Sequence, residues 1–407
     1  MRILAVFGCN AYGDPARGEG YEHANILPDL TAIAGADGVV LFDCWDRAPY
    51  DSFAGMNLAF VKRVAQVKPD VVFLVLMGGE IWTQTLDAVR TNSPAALVHW
   101  GTDDSWKYAE HTRFIARHVD LHITTHEGAL AKAKRDGLDN VVLSQWAACG
   151  AKLAAPLASA QCQYDVSFVG AAYGNRPAWV EALRALGIKV ACFGKGWEGG
   201  VVAAAELPRI VQSSRISLNF SDSGLKLTGS GLARSRQIKA RTFEVPGAGG
   251  FLLTEPAGGL GRYFEIGREI ATYSSAGELA ERIGYFLAHP GERDEMAQRA
   301  HERVAAEHTY AARLPVLLAE GWRRAVARGV SGWTLDAGLL DDAVRAHACG
   351  PVLRSTAAAL TGMARLALGE PKGPRAARRL VHEVSWRLAR ARTYSAAGWP
   401  GRMFYHE

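Results

Sequence analysis

Apolar residues in this chain fall in short dense runs, separated by stretches whose apolar positions recur every three to four residues. In the first half the runs are 2–7, 38–43, 70–76, 95–100, 120–124 and 140–144. They are rich in Val, Ile and Leu on both faces, as expected of strands covered on both sides. Between them, 51–67, 104–117 and 127–137 have helical length and periodicity. Strands joined by helices imply a parallel, doubly wound sheet, which these runs complete near residue 150.

Residues 151–163 are Ala-rich, contain a proline and lack strand character, so they read as a linker. The pattern then restarts, with strands at 164–169, 189–193, 216–219, 250–253 and 270–273. Helices are expected at 176–186, 206–213, 241–247, 276–288 and 291–307. The remainder is helical in pattern, at 335–347, 353–368 and 375–392. The expected organisation is therefore a domain over 1–150, the linker 151–163, a second domain over 164–325, and a helical basic tail over 326–407 that packs back on the first domain.

Composition changes this picture little. The chain is 49% hydrophobic and 21% charged, ordinary for a soluble globular protein. No run reaches the roughly 18 apolar residues of a spanning helix. The N-terminal run stops at Gly8, too short for a secretory signal and better read as a first strand. Cys9, Cys44, Cys149, Cys162, Cys192 and Cys349 are scattered, with no CxxC pair, which argues against disulfides or a zinc site and for a reducing cytoplasm. The net charge of +5 is concentrated in the tail. Between 371 and 393, Lys372, Arg375, Arg378, Arg379, Arg387, Arg390 and Arg392 face only Glu383. The body is close to neutral, so nucleic-acid binding is not expected.

The most specific block is 237–314. It contains Lys239-x-Arg241-x-Phe243-Glu244, Gly249-Gly250-Phe251-Leu252-Leu253-Thr254, Tyr263-Phe264-Glu265 and His308-Thr309-Tyr310. Upstream lie Trp100-Gly101-Thr102-Asp103-Asp104, Ser144-Gln145-Trp146-Ala147, Asp165-Val166-Ser167-Phe168-Val169-Gly170 and Ser217-Leu218-Asn219-Phe220. In this order and spacing the segments resemble the CgeB-like (spore-maturation-protein-like) glycosyltransferases. The resemblance covers roughly 95–315. It implies an α/β GT-B fold: two Rossmann-like doubly wound domains facing across a cleft, plus a helical C-terminal extension. It also implies a nucleotide-diphosphate sugar as co-substrate, with no other cofactor required. The same outline of two sheets is shared by nucleotide-sugar epimerases and some periplasmic-type binding proteins, and periodicity does not choose among them.

Ligands of doubly wound sheets lie outside the carboxyl ends of the strands. Gln237, Lys239 and Arg241 lead into a helix start, where free N–H groups and two cations suit a diphosphate. Glu244, one turn on, is placed to accept hydrogen bonds from ribose hydroxyls, the role that the resemblance implies. The alternative is that Lys239 and Arg241 are solvated and Glu244 complements the helix dipole. Gly249-Gly250 fits an αL turn between helix and strand. Gly170, Tyr173, Asn175 and Arg176 follow the first strand of the second domain, where a base or phosphate can approach, although Asn175 also suits a cap for the helix that begins at Arg176. Trp197 is placed either to stack on a nucleobase or to plug the domain rim.

In the first domain, the loop 8–20 runs into Glu22 and His23, which are candidates to contact the transferred sugar or leaving phosphate, or else a solvated helix start. The loop is no GxGxxG fingerprint, so NAD dependence is unsupported. Asp103 either orients hydroxyls or acts as a base, or it caps the helix at Asp104 with Trp106 beneath. Asp103-Asp104 lacks the spacing of a DxD metal motif, and no metal is expected. The wider clan implies retention of configuration, whereas Asp103 as base would suit inversion. The expected acceptor is a carbohydrate, lipid-linked or protein hydroxyl. The basic tail helix is either a solvated face or a peripheral contact with an anionic membrane. The closing segment from Tyr394 to Tyr405 is aromatic enough to dock on the body. Epimerase activity, or sugar or nucleotide binding without catalysis, remain the competing readings.

Overall fold

The computed structural model describes residues 1–228 and 231–404. Its contacts divide into two compact units. One comprises Met1–Asp14, Ala34–Leu143 and Val316–Glu407, the other Pro15–Ile33 and Ser144–Pro315.

The first unit is built on six parallel strands, β1 (Ile3–Val6), β2 (Val39–Phe42), β3 (Val71–Leu74), β4 (Ala96–Gly101), β5 (Leu121–Thr124) and β6 (Val141–Leu143), in the order β2-β1-β3-β4-β5-β6. Every residue of β1, β3, β4 and β5 is buried, which is why these runs carry no polar alternation. The helix Phe53–Val67 starts where Ser52 Oγ accepts from the Gly55 N–H at 3.1 Å and ends at Lys68 in the left-handed region. The expected helix at 104–117 is broken in its middle by a π-turn, Tyr108–Thr112, and the Thr112 hydroxyl at its end donates to Asp104. Leu335, Leu340, Ala343, Tyr394 and Ala396 from the tail join the core on this sheet. Phe404 is buried as well, whereas Tyr405 lies outside the described residues.

The second unit holds a five-stranded parallel sheet of β7 (Tyr164–Val169), β8 (Ala191–Phe193), β9 (Ser214–Asn219), β12 (Leu252–Thr254) and β13 (Ala271–Thr272), ordered β13-β12-β9-β7-β8. An antiparallel hairpin, β10 (Asp222–Thr228) with β11 (Gly231–Arg236), is inserted after β9. The sequence reading passed over it, although Leu225, Leu227 and Leu232 alternate with polar residues. The hairpin is closed at its base by the Gln237 N–H on Ser221 O at 2.9 Å.

Residues 15–33 belong to this second unit, not to a domain over 1–150 as their position in the chain suggested. Long-range bonds explain the difference. Asp29 accepts from the Gly150 N–H at 2.9 Å and from the Ala311 N–H at 3.0 Å, and Lys152 donates to Asn25 at 2.9 Å. The expected linker 151–163 also lies within this unit, held by two short 3-10 turns and no strand. Gly249 has φ of +78°, and a Cβ there would lie 2.6 Å from the Ala154 carbonyl oxygen, so this turn requires glycine.

Candidate functional site

In the second unit the chain leaves β7 toward β8 at one edge, then crosses to β9 on the other side of β7. The carboxyl ends of β7 and β9 are thus a topological switch point, where ligands of open α/β sheets bind. Gly170 follows β7 with φ of +151°. A Cβ there would lie 2.4 Å from an Arg241 guanidinium nitrogen, so the missing side chain is what lets Arg241 lie against this loop. Trp197 donates its indole N–H to the Gly170 carbonyl at 2.7 Å and meets the Phe168 ring edge-on at 6.0 Å.

Phe168, the last buried ring of β7, is flanked by two guanidiniums, Arg241 at 5.3 Å and Arg176 at 5.5 Å from its centroid. Arg176 is 4% exposed, donates to Ala171 O at 3.0 Å, and stacks on Tyr173 at 3.9 Å. Burial, with Arg241 alongside, lowers its pKa to about 10, which leaves it charged at neutral pH. Two cations held together at the end of a strand repel unless an anion joins them. The sequence places Arg176 both where a base or phosphate can approach and at a helix start. A cation at a helix N-terminus opposes the dipole and calls for another partner.

The helix Arg241–Gly247 has fewer than two turns. Free amides are expected at its start, but three of them are already bonded. Thr242 N–H bonds Lys239 O, while Phe243 and Glu244 N–H groups bond Ala240 O. Positive charge at this strand end therefore rests on the Arg241 and Arg176 side chains, with Lys239 partly buried at the helix start. Asn175 makes no capping bond, and its buried Oδ1 has no hydrogen-bond partner among the described residues.

Glu244 is partly buried and hydrogen-bonded to Tyr21, whose hydroxyl lies 3.1 Å from that of Tyr310. Burial raises the Glu244 carboxyl, while Arg241, Lys152 and the Tyr21 bond pull it back. Tyr21 and Lys152 were not singled out from the sequence, because only the fold brings 21 and 152 to 244. Of the neighbouring candidates, Glu22 is buried and His23 is partly exposed, with its Nδ1 2.6 Å from Glu19. Gln237 is partly buried at the hairpin base, and Tyr173 is exposed.

In the first unit, Asp103 follows β4 and its side chain makes no capping bond. Trp106 is exposed, so it does not pack beneath the turn as expected. Asp104 is buried and bonds His122 Nε2 at 2.9 Å, so the two adjacent carboxylates have separate fates. A cleft of about 680 Å³ opens at the carboxyl ends of β1, β2 and β3. Tyr12 and Trp45 stack in its wall at 5.9 Å, and Arg47, Glu80 and Arg378 add charge. Among the described residues, one grouping has metal-ligand spacing, Glu110, His382 and Glu383, and Arg379 already pairs with both of its carboxylates.

Comparison with known proteins agrees with this fold. Residues 176–319 match the model of a glycosyl transferase-like family. No curated protein matches the chain. Among solved structures, Anabaena HepE in complex with UDP is similar at 12% identity and TM-score 0.51, over 78% of this chain and 98% of its own. Sucrose-phosphate synthase from Thermosynechococcus elongatus is 14% identical at TM-score 0.55, over 80% of this chain and 100% of its own. A glycosyltransferase from Rickettsia africae is 10% identical at TM-score 0.50, over 80% and 98%. The two parallel sheets and these likenesses show the GT-B fold, and the domain match over 176–319 is to a glycosyl transferase-like family.

Proposed function

We propose that the chain transfers a sugar from a nucleotide-diphosphate sugar to a hydroxyl acceptor in the cytoplasm, with retention of configuration and no metal. The acceptor is a surface polysaccharide, lipid or protein glycan. The observation that carries the reading is the pair of guanidiniums flanking Phe168, with Glu244 one turn along the helix from Arg241. Arg241, Arg176 and Lys239 take the diphosphate, and Glu244 accepts from the ribose hydroxyls. That HepE has been solved with UDP and with UDP-glucose makes uridine the first base to test.

In the proposed reaction the bond from the anomeric carbon to the diphosphate oxygen breaks, and the acceptor oxygen bonds that carbon on the same face. The acceptor proton passes to the departing diphosphate. The guanidiniums stabilise the negative charge that develops there, so no protein nucleophile is needed. Glu22 and His23 of the donor unit are assigned to the transferred sugar, and Asp103 of the first unit to the acceptor. Tyr173 and Trp197 border the donor loop.

The test is thermal stabilisation against UDP-, GDP-, dTDP-, ADP- and CMP-sugars, with and without EDTA. A ligand at about 100 times its Kd adds roughly 2.7 kcal/mol. One nucleotide class should shift the melt equally in both buffers. A shift abolished by EDTA would remove metal independence, and no shift with any sugar would remove the donor site. Isomerised sugar nucleotide without acceptor would instead make the chain an epimerase.

A further inference from the structure

The helices Pro351–Leu368 and Lys372–Leu388 of the first unit pack closely, since a Cβ on Gly373 would lie 2.6 Å from the Arg365 backbone. Their seam is Ala357, Leu360, Ala364, Ala377 and Val381, closed by Met403 and Phe404. The outward faces are also apolar. On the first helix, Val352, Ala359, Met363 and Leu366 recur at helical spacing and share a face. Val352 is 78% exposed and Leu366 92%. On the second, Leu380, Val384 and Leu388 follow at four-residue steps and are exposed, Leu388 by 72%. An outward face on a solvated helical pair is ordinarily polar, and rows like these mark a surface that is covered in use.

Charge decides by what. From 351 to 392 there are nine basic residues, Arg354, Arg365, Lys372, Arg375, Arg378, Arg379, Arg387, Arg390 and Arg392, against Glu370 and Glu383. A second copy of the chain would set this positive charge against itself. A nucleic acid would meet the arginines and leave the apolar rows wet. An anionic bilayer satisfies both, taking apolar side chains into its interface and presenting phosphates to arginine. No described helix is long and apolar enough to cross a membrane, so the contact lies along the surface.

We propose that this helical pair seats the protein on an anionic lipid surface. Arg378, on the same helix as Leu380, lines the cleft at the carboxyl ends of β1–β3, so one helix carries both the cleft and the lipid-facing row. The acceptor class this favours is a lipid-borne hydroxyl compound, a step that rests on the transferase reading, whereas the membrane contact does not.

The experiment is co-sedimentation of the full chain with phosphatidylcholine vesicles, with and without phosphatidylglycerol. It compares wild type with L366S/L380S/L388S, three exposed positions outside both the seam and the donor site. Wild type should pellet with phosphatidylglycerol vesicles and little with phosphatidylcholine alone. The triple variant should lose about tenfold or more of that binding while keeping its melting temperature and its response to UDP. Wild type remaining in the supernatant with both vesicles would overturn the proposal, as would a triple variant that binds like wild type. A dimer that the triple variant abolishes would assign the face to a second copy and also overturn it. The UDP response reports on the donor site separately, so failure of one reading is distinguishable from failure of the other.

Discussion

The imidazole rings of His99 and His122 meet Nδ1 to Nδ1 at 2.8 Å in the interior of the first unit. His99 Nε2 accepts from the Leu76 N–H at 3.2 Å, so the His99 proton sits on Nδ1 and is donated to His122. His122 in turn donates from Nε2 to Asp104 at 2.9 Å. Burial, reinforced by His122, lowers the His99 pKa to about 3. Burial alone would raise Asp104, but the His122 contact wins and holds its carboxyl well below the usual range. The result is a chain of two rings ending on a carboxylate.

This relay predicts acid sensitivity well above the carboxylate range. Above the ordinary histidine pKa both the folded and unfolded forms of His99 are neutral and it contributes nothing. As pH falls below about 6.5, the unfolded chain binds a proton that the folded chain refuses until about 3, so stability falls across that window. His382, lowered by burial to about 4, acts with the same sign. Urea unfolding should show a loss on the order of 1–2 kcal/mol between about pH 7 and pH 5, with a shallower slope for His99→Leu. Equal slopes for the two proteins would show that His99 is not the cause.

Gly170→Ala tests the donor loop. The added methyl collides with the Arg241 guanidinium at 2.4 Å in a backbone region where alanine is strained. Nucleotide affinity should fall about 10- to 100-fold by calorimetry, the size of losing hydrogen bonds to a charged group. Arg176→Lys should fall in the same range, because a lysine cannot reproduce the planar stack on Tyr173. Wild-type affinity in both variants would displace the diphosphate from this loop.

Glu244 should impose a pH dependence on nucleotide binding. A carboxylate accepts from two ribose hydroxyls through both oxygens and with full charge only when ionised, and burial raises this carboxyl above its usual range. Affinity should therefore weaken as pH falls, and at a higher pH than an ordinary glutamate would give. Glu244→Gln should bind more weakly at neutral pH and lose the dependence. A Gln variant that keeps the wild-type profile would assign the titration to another group.

Arg293 is fully buried and donates to Arg215 O at 2.6 Å, Ser214 O at 2.8 Å and Leu157 O at 3.0 Å. Arg293→Ala would leave these carbonyls without their donor. The second unit should lose about 3–5 kcal/mol, read as a lowered denaturation midpoint with an unchanged slope. A loss below about 1 kcal/mol would mean that water replaces the side chain.

Much of this was legible from sequence where the signal is local. The parallel strands announced themselves as apolar runs because both of their faces are covered, and Gly249 announced its turn. Asp104 did not, since nothing beside it in the chain shows that His122 waits in the next strand. Residues 15–33 were misplaced for the same reason: Asp29 finds its partners at Gly150 and Ala311, more than a hundred positions away. The hairpin β10–β11 interrupts an otherwise regular alternation of strand and helix, and its weak two-residue period was lost beside the stronger signals.

The interleaving of the two units has a consequence for how the molecule is made and cut. Each unit is assembled from separated stretches of chain, and each needs residues beyond 300 to be complete. A ribosome therefore releases neither as a finished piece until synthesis is far advanced, and Tyr21 and Asp29 must wait for Tyr310 and Ala311 to emerge. A chimera spliced near residue 150 would leave the second unit without its first strip of chain. An exchange that carries 15–33 together with 144–315 keeps the unit whole, and parental boundaries for recombination should be sought there.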